Sequence, residues 1–326
     1  MAKVIFTADL HGNERQYGKL VDYAVESAAD SLIIGGDIAP KYFPDDPTGI
    51  KRISGQKDFL ENRLPDMLSS LKKARPSCQI YILFGNDDCA INQRVLESKA
   101  EGIYTVIHNR RVPLGEGYDI VGYSCVPFTP FGLKDWERKD LRKFPENAES
   151  DYVLTTKEAR LEGLISTPRG LQYKIESEIL GMHPSIEEDL STRLFTANPE
   201  KTVYVIHTPP YGTNLDKLER RTISQADFDA IMASSPLDEA KRIVERTFGK
   251  HSVGSLAVRR FIEKYQPYLT LHGHIHETVS VSKKFKDKIG STLCMTAGNS
   301  NRSKNLAVVE FELGKPEKAK RLILEL

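Results

Sequence analysis

The stretch Val4-Ile5-Phe6-Thr7-Ala8-Asp9-Leu10-His11-Gly12 organises the reading of this chain. Residues 4–8 are β-branched or apolar and read as a buried strand. The run stops at an acidic residue, an imidazole two positions on, and a glycine. Asn13 with Gln16 then resembles a capping box, and Tyr17, Leu20, Val21, Ala24, Val25 and Ala28 recur at helical spacing. A strand that ends in polar residues and feeds a helix is the unit to look for elsewhere.

It recurs. Residues 31–34 form a second apolar strand ending at Gly35-Gly36-Asp37, and residues 79–84 form a third ending at Gly85-Asn86-Asp87-Asp88. Between them, residues 39–56 are polar and rich in Pro, Gly and Asp, which predicts a long loop. Residues 57–74 read as a helix that Pro65 could kink or split. Strands separated by helices predict a parallel sheet with right-handed crossovers. Further strands are expected over 103–108, 118–124, 202–206 and 268–272. The end of the chain changes character: 279–284, 291–296, 305–313 and 319–326 read as an antiparallel meander.

Two stretches break the rhythm. Residues 126–201 are charged and interrupted by Pro127, Pro130, Pro145, Pro168 and Pro184. Helical pieces are expected near 136–142, 156–164 and 186–195. The stretch reads as a partly helical insertion or cap on one domain spanning 1–326. Residues 212–254 are a second polar, partly helical excursion before a helix at 256–265.

The 326 residues would fit two domains at about 150 each, or one large α/β domain with an insertion. With 40% hydrophobic and 28% charged residues, dominant disorder is excluded. A formal charge of +1 argues against a protein whose main task is coating nucleic acid or an anionic membrane. No apolar run approaches the roughly 20 residues that span a bilayer. The N-terminal run meets Asp9 and lacks a small-residue cleavage site, so it does not read as a signal peptide. Cys78, Cys89, Cys125 and Cys294 are scattered, which predicts reduced core thiols and a cytoplasmic protein.

The chemistry collects where apolar runs stop. Five strand ends carry Asp9 and His11; Asp37; Asn86, Asp87 and Asp88; His207; and His274 and His276. Singly, each is an ordinary turn or cap. Together they place carboxylates, imidazoles and an amide on one rim, because sites in α/β sheets gather at the carboxyl ends of the strands. Such donors suit hard or borderline divalent ions. An extended backbone through His274-Ile275-His276 would send both imidazoles to the same side, where they could serve neighbouring ions.

In these motifs the chain resembles the calcineurin-like metallophosphoesterase superfamily. The family's ordered motifs are D-x-H, G-D, G-N-H-[DE], H and G-H-x-H. This sequence has Asp-Leu-His at 9–11, Gly-Gly-Asp at 35–37, Gly-Asn-Asp-Asp at 85–88, His207 and Gly-His-Ile-His at 273–276. The resemblance implies a two-sheet β-sandwich flanked by helices, a four-layer αββα arrangement, with the site at one end. It implies two divalent metal ions, manganese first, with iron or zinc as alternatives. Asp9, His11, Asp37 and His276 would hold one ion. Asp37, as the bridge, with Asn86, His207 and His274 would hold the other. Two such ions acidify a bridging water and clamp a phosphoryl group, and the net positive charge of such a site favours a phosphate ester anion.

One position departs from the family. The histidine of G-N-H-[DE], usually assigned to leaving-group protonation or transition-state stabilisation, is Asp87 here. Ionised beside metal ions, Asp87 would be a poor general acid. His251, expected in a loop before the helix at 256–265, is the alternative candidate for a replacement acid or phosphate contact. Phe128, Phe131 and Trp136 could stack on a base or pack the insertion onto the core. Arg110-Arg111 reads as a solvated turn.

The expected function is therefore a dinuclear phosphoesterase on a small phosphate ester, with phosphodiester or nucleotide-type substrates ahead of monoesters. The alternatives are a scaffold that has lost its chemistry and binds proteins, and a protein phosphatase.

Overall fold

Strand β1 (Lys3–Thr7) alternates, with Val4 and Phe6 on one face and Ile5 on the other. Strands β2 (Ser31–Gly35) and β3 (Gln79–Leu83) pair in parallel beyond it, followed by the short β4 (Thr105–Val106). The first three are buried on both faces, which is why they read as nearly continuous apolar runs. The computed structural model describes residues 1–43, 46–148, 150–219, 229–230, 232, 250–300 and 303–326.

Along the chain follow β5 (Arg111–Gly115), β6 (Tyr118–Tyr123), β7 (Val126–Pro127), β8 (Glu137–Arg138), β9 (Gly163–Thr167), β10 (Gly170–Lys174) and β11 (Thr202–Ile206). Then come β12 (Lys217–Glu219), β13 (Lys250–Ser252), β14 (Leu269–His272), β15 (Lys286–Ile289), β16 (Thr292–Thr296), β17 (Asn305–Glu312) and β18 (Lys320–Glu325). Two six-stranded mixed sheets result, ordered β18-β17-β1-β2-β3-β4 and β15-β16-β14-β11-β6-β5. Val4, Phe6, Ile33, Leu83, Ile120, Val203, Val205, Leu271, Met295 and Val309 form one core, contributed by both sheets. The opposite faces, with Ile5, Leu32, Ile34, Ile82, Tyr204 and Ile206, pack with helix residues such as Tyr17, Leu20, Leu64, Leu68, Val258 and Phe261. This is the expected two-sheet sandwich flanked by helices.

Three local expectations outside the 126–201 stretch, and one within it, are corrected. A helix begins at Ile50, inside the expected loop of 39–56, and continues as Ile50–Asp58, a π-turn at Phe59–Arg63 and Leu64–Ala74. Pro65 cannot donate to the carbonyl four residues back, and the wider turn just before it absorbs the mismatch. Tertiary bonds explain the early start: the buried Gln56 donates to Pro40 O and Asp87 O, and accepts from Cys89 N–H. Residues 279–284 are no strand but overlap a short helix, Thr278–Ser282. Its Thr-Val-Ser-Val-Ser sequence alternates, a pattern too short to fix the period. The last strands also form no single meander. β15 and β16 are an antiparallel pair in the second sheet, and β16 runs parallel to β14; β17 and β18 belong to the first sheet.

The stretch 126–201 contributes a hairpin, β9–β10, and helices Ser150–Glu158, Glu176–Met182, Ile186–Leu190 and Arg193–Thr196. Near 136–142 it holds the two-residue strand β8, not a helix. Its Trp136, Leu141, Tyr152, Ile186, Leu190 and Phe195 join the same core as Tyr123 and Tyr204. Trp136 Nε1–H donates to Asp88 O at 2.8 Å, and Tyr123 O–H donates to Asp189 at 2.7 Å. Arg111 reaches the carbonyls of Leu194 and Ala197 from the sheet edge. Of the excursion expected at 212–254, the described part includes the pair β12–β13; residues 220–228, 231 and 233–249 lie outside the described residues.

Candidate metal centre

The strands of both sheets end at one place. Beyond β1 and β2 the chain keeps pairing without regular strand: Asp9 N–H donates to Gly36 O, His11 N–H to Asp37 O and Gly12 N–H to Ile38 O. In the second sheet His207 N–H donates to Tyr123 O, and Gly273 N–H to His207 O. These bonds frame four site residues in the left-handed region, with φ of 62° at Asp9, 45° at His11, 51° at Asp37 and 69° at His274. Non-glycine residues there cost about 1–3 kcal/mol each and cluster at functional sites. The backbone through His274-Ile275-His276 is therefore not extended; a left-handed turn aims the two imidazoles.

Asp9, His11, Asp37 and His276 each present one donor atom, and the four atoms lie within 4.8 Å of one another. His11 Nε2 is 3.2 Å from His276 Nε2 and 3.6 Å from Asp37 Oδ2. His276 Nε2 is 3.7 Å from Asp9 Oδ1. On the other side of Asp37, the same Oδ2 lies 3.6 Å from His207 Nε2. His274 Nδ1 and Asn86 Oδ1 approach to 2.7 Å, and the His207 and His274 rings are 5.4 Å apart. All seven residues singled out as ligands from the sequence thus converge, and Asp37 sits between the two groups.

The donor set is prepared for cations. Asp9 and Asp37 are each 1% exposed. Two carboxylates at that depth are costly without positive partners. Backbone N–H groups of His274 and Asp87 donate to Asp9 Oδ1 and Asp37 Oδ1. Burial alone would raise the Asp37 carboxyl, but the imidazoles of His207 and His11 hold it well below the usual carboxylate range. Burial pushes the His274 imidazole down to about 3, keeping it neutral with a lone pair free to bind. His207 Nδ1–H donates to Gly35 O at 2.8 Å, which turns the partnerless Nε2 toward Asp37; burial disfavours charge on the ring, but the Asp37 carboxylate raises it to about 9, so a metal at Nε2 would take the place of a proton there. A ring anchored through its other nitrogen, with Nε2 beside a carboxylate, is the arrangement of a metal-ligating histidine, so the residues fit the metal the motifs imply.

Two glycines let the loops close this tightly. A Cβ on Gly36, whose φ is +106°, would stand 2.3 Å from His207 Nδ1. One on Gly85 would stand 2.3 Å from Asp37 Oδ1 and 2.5 Å from His207 Nε2. Asp88, the acidic residue of the third motif, has a structural task. Its carboxylate accepts from the N–H groups of Gly85, Ile38 and Ala39, tying the β2 and β3 loops together. Burial and the Asp37 charge push it up to about 8 against those three donors.

Asp87 lines the cleft beside the cluster, but as one member of a charged group. Lys41 Nζ is 2.9 Å from its Oδ2, and Arg52 Nη2 is 3.4 Å from its Oδ1 and 2.6 Å from its carbonyl. Burial and Asp37 raise its pKa, opposed by Lys41 and Arg52. Sequence reading missed both cations, since they lie in a segment read only as loop. The usable signal was a lysine four residues after Asp37 in a chain whose third motif lacks its histidine. His251 is no solvated loop residue: it is 5% exposed, in β13 opposite Leu218. Leu218 and Val253 line the cleft, whereas His251 is absent from its described lining.

The cleft has a volume of about 280 Å³. Asp37, Lys41, Asn86, Asp87, His274 and His276 supply its polar lining; Pro127, Phe128, Pro130, Phe131, Leu218, Val253 and Ile275 supply apolar wall, with Glu158 and Glu277 also present. Phe128 and Phe131 thus stand at the cleft, while Trp136 is buried in the core. Arg110 pairs with Glu97 at the surface, but Arg111 is tied into the fold through Thr202, Leu194 and Ala197.

Comparison with known proteins agrees with the motifs. The profile of the calcineurin-like phosphoesterase family matches residues 2–278, and the chain belongs to that family. No curated protein sequence matches it. One crystal structure superposes with a TM-score of 0.53 at 14% identity, covering 99% of this chain and 98% of that one. A protein of Thermus thermophilus gives 0.49 at 12% identity, with 99% and 98% covered. A dimetal phosphatase from Danio rerio gives 0.45 at 11% identity, also with 99% and 98% covered. At 14% identity the first of these likenesses concerns the fold alone. No helix among the described residues is long and apolar enough to cross a membrane.

Proposed function

We propose that this chain is a dinuclear metal-dependent phosphoesterase that hydrolyses phosphodiester or nucleotide-type substrates. The observation that carries the reading is the position of Asp37 Oδ2, 3.6 Å from both His11 Nε2 and His207 Nε2. On this reading Asp9, His11, Asp37 and His276 hold one ion, and Asp37, Asn86, His207 and His274 the other. When bound, two such ions supply a hydroxide-like water and neutralise a phosphoryl group. Manganese is our first assignment, with iron or zinc as alternatives, since N/O donors suit all three.

The chain's own residues do the rest. Gly35 O fixes the His207 tautomer, and the backbone N–H groups of His274 and Asp87 orient the two aspartates. The apolar wall of Phe128, Pro130, Phe131, Leu218 and Val253 supports an ester with an organic group on each side of phosphorus, because a bare monoester would leave that wall wet. Phe128 and Phe131 could stack on a base. We further propose that residues 1–326 act as one unit, with 126–201 providing part of this wall. Four buried free cysteines support a reducing, cytoplasmic setting.

The test is hydrolysis of bis-p-nitrophenyl phosphate by chelator-treated protein before and after adding manganese. Metal-dependent turnover is expected. Stoichiometric metal with no hydrolysis of any ester in a panel of mono- and diesters would overturn the reading and favour a binding scaffold.

A further inference from the structure

The third motif lacks the histidine that would stand at the leaving group, and the structure puts a cation beside the substituted position. Lys41 Nζ lies 2.9 Å from Asp87 Oδ2, and both residues line the cleft with Asp37, Asn86 and His274. An ordinary surface ion pair would contribute little, and the surroundings of this one are not ordinary. Asp87 is already engaged by Arg52, which bonds its carbonyl and its other carboxylate oxygen. Gln56 donates to the same carbonyl. The Lys41–Asp87–Arg52 group, one carboxylate between two cations, therefore carries a net positive charge. Arg52 turns its Nη2 to Asp87 and is absent from the described lining of the cleft, whereas Lys41 lines it with an ammonium that has three donors and gives Asp87 one. Lys41 is also the most open of the three, its side chain 37% exposed against 19% for each of the others. The excess charge thus has its outlet through Lys41, into the cleft.

We propose that Lys41, held in place by Asp87, binds a phosphoryl oxygen of the substrate and stabilises the charge that develops on the leaving oxygen, taking over the place of the missing histidine. The proposal rests on the phosphoesterase reading. In the reaction a water oxygen bonds to phosphorus, the bond from phosphorus to the ester oxygen breaks, and its electron pair stays on that oxygen. Lys41 donates a hydrogen bond to this oxygen as it becomes negative. Solvent supplies the proton of the released alcohol and takes up the proton lost by the attacking water. Asp87 is then a positioning residue, and an ammonium aimed at developing charge acts as other preorganised donors do.

The test compares wild type with Lys41→Met, Lys41→Arg and Asp87→Ala, each checked for metal content. Inorganic phosphate binding is measured by calorimetry on metal-loaded protein. Turnover is measured on a p-nitrophenyl diester and on a diester with an alkyl leaving group. For Lys41→Met, phosphate should bind about tenfold more weakly and the alkyl ester should slow about 100-fold, with a much smaller loss on the p-nitrophenyl ester. Lys41→Arg should recover most of both effects. Asp87→Ala should lose part of each in the same sense, because Lys41 is then unguided. The phosphate measurement keeps the two claims separable: absent turnover with intact phosphate binding sinks the activity but still tests Lys41. Wild-type phosphate affinity in Lys41→Met at normal metal content, or equal losses on both esters, would overturn the proposal.

Discussion

Asp37 Oδ2 lies 3.6 Å from Nε2 of His207, a fully buried ring nitrogen without a hydrogen-bond partner. The opposite nitrogen of that ring is committed to Gly35 O, so the ring cannot turn away. A buried carboxylate and an orphaned imidazole held this way make sense when a cation completes both.

On the proposed assignment Asp37 serves both ions, so Asp37→Asn should lower metal content at both positions and reduce turnover by more than about 100-fold. Elemental analysis and steady-state rates on the same preparation check this. Two ions per chain with a wild-type rate would refute the shared ligand.

Phe128 lines the same cleft as the proposed ligands Asp37, Asn86, His274 and His276. Phe128→Ala should raise KM for a nucleotide-type diester about tenfold, the loss expected for one stacking surface, and should affect a small dialkyl ester far less. Equal losses on both would point to a distorted site instead of a missing contact.

The 126–201 stretch shares its core with the sheets through Trp136, Tyr152, Ile186 and Phe195. Replacing it with a short Gly/Ser linker should abolish cooperative thermal unfolding, since Asp88, Tyr123 and Arg111 all lose partners across the join. A deletion variant that melts cooperatively and binds metal would show that the stretch is a dispensable cap.

His108 gives a pH signature of stability. Burial, with Arg138 and Arg110 adding, pushes it down to about 3. Its Nδ1 accepts from Ser124 N–H, and its ring packs edge-on against Trp136 at 4.9 Å. In the unfolded chain a histidine titrates near about 6.5. Well above that pH both states are neutral. As pH falls through about 6.5 the unfolded state takes up a proton that folded His108 refuses, so stability declines from there down to about pH 3. Between about pH 7 and pH 5 the group should cost on the order of 1–2 kcal/mol. Urea titrations of wild type and His108→Gln should show the variant's dependence flattened by that amount; parallel curves would exclude the effect.

What the sequence determined by itself was which residues gather at the candidate site and in what order they follow along the chain. Asp9, His11, Asp37, Asn86, His207, His274 and His276 were legible because each follows an apolar run, and strand ends gather on one rim of an α/β sheet. Local pattern also located most of the strands, since burial on both faces leaves unbroken apolar runs. The tertiary structure decided what depends on distant partners. The helix at Ile50 exists where Gln56 meets Pro40, Asp87 and Cys89, and composition alone reads that segment as loop. Which sheet takes the final strands was settled by pairing with β14 and β1, because alternation states a face but names no neighbour. The cation at Asp87 was invisible for the same reason. Lys41 and Asp87 are 46 positions apart, and only folding both loops over the strand ends brings ammonium to carboxylate.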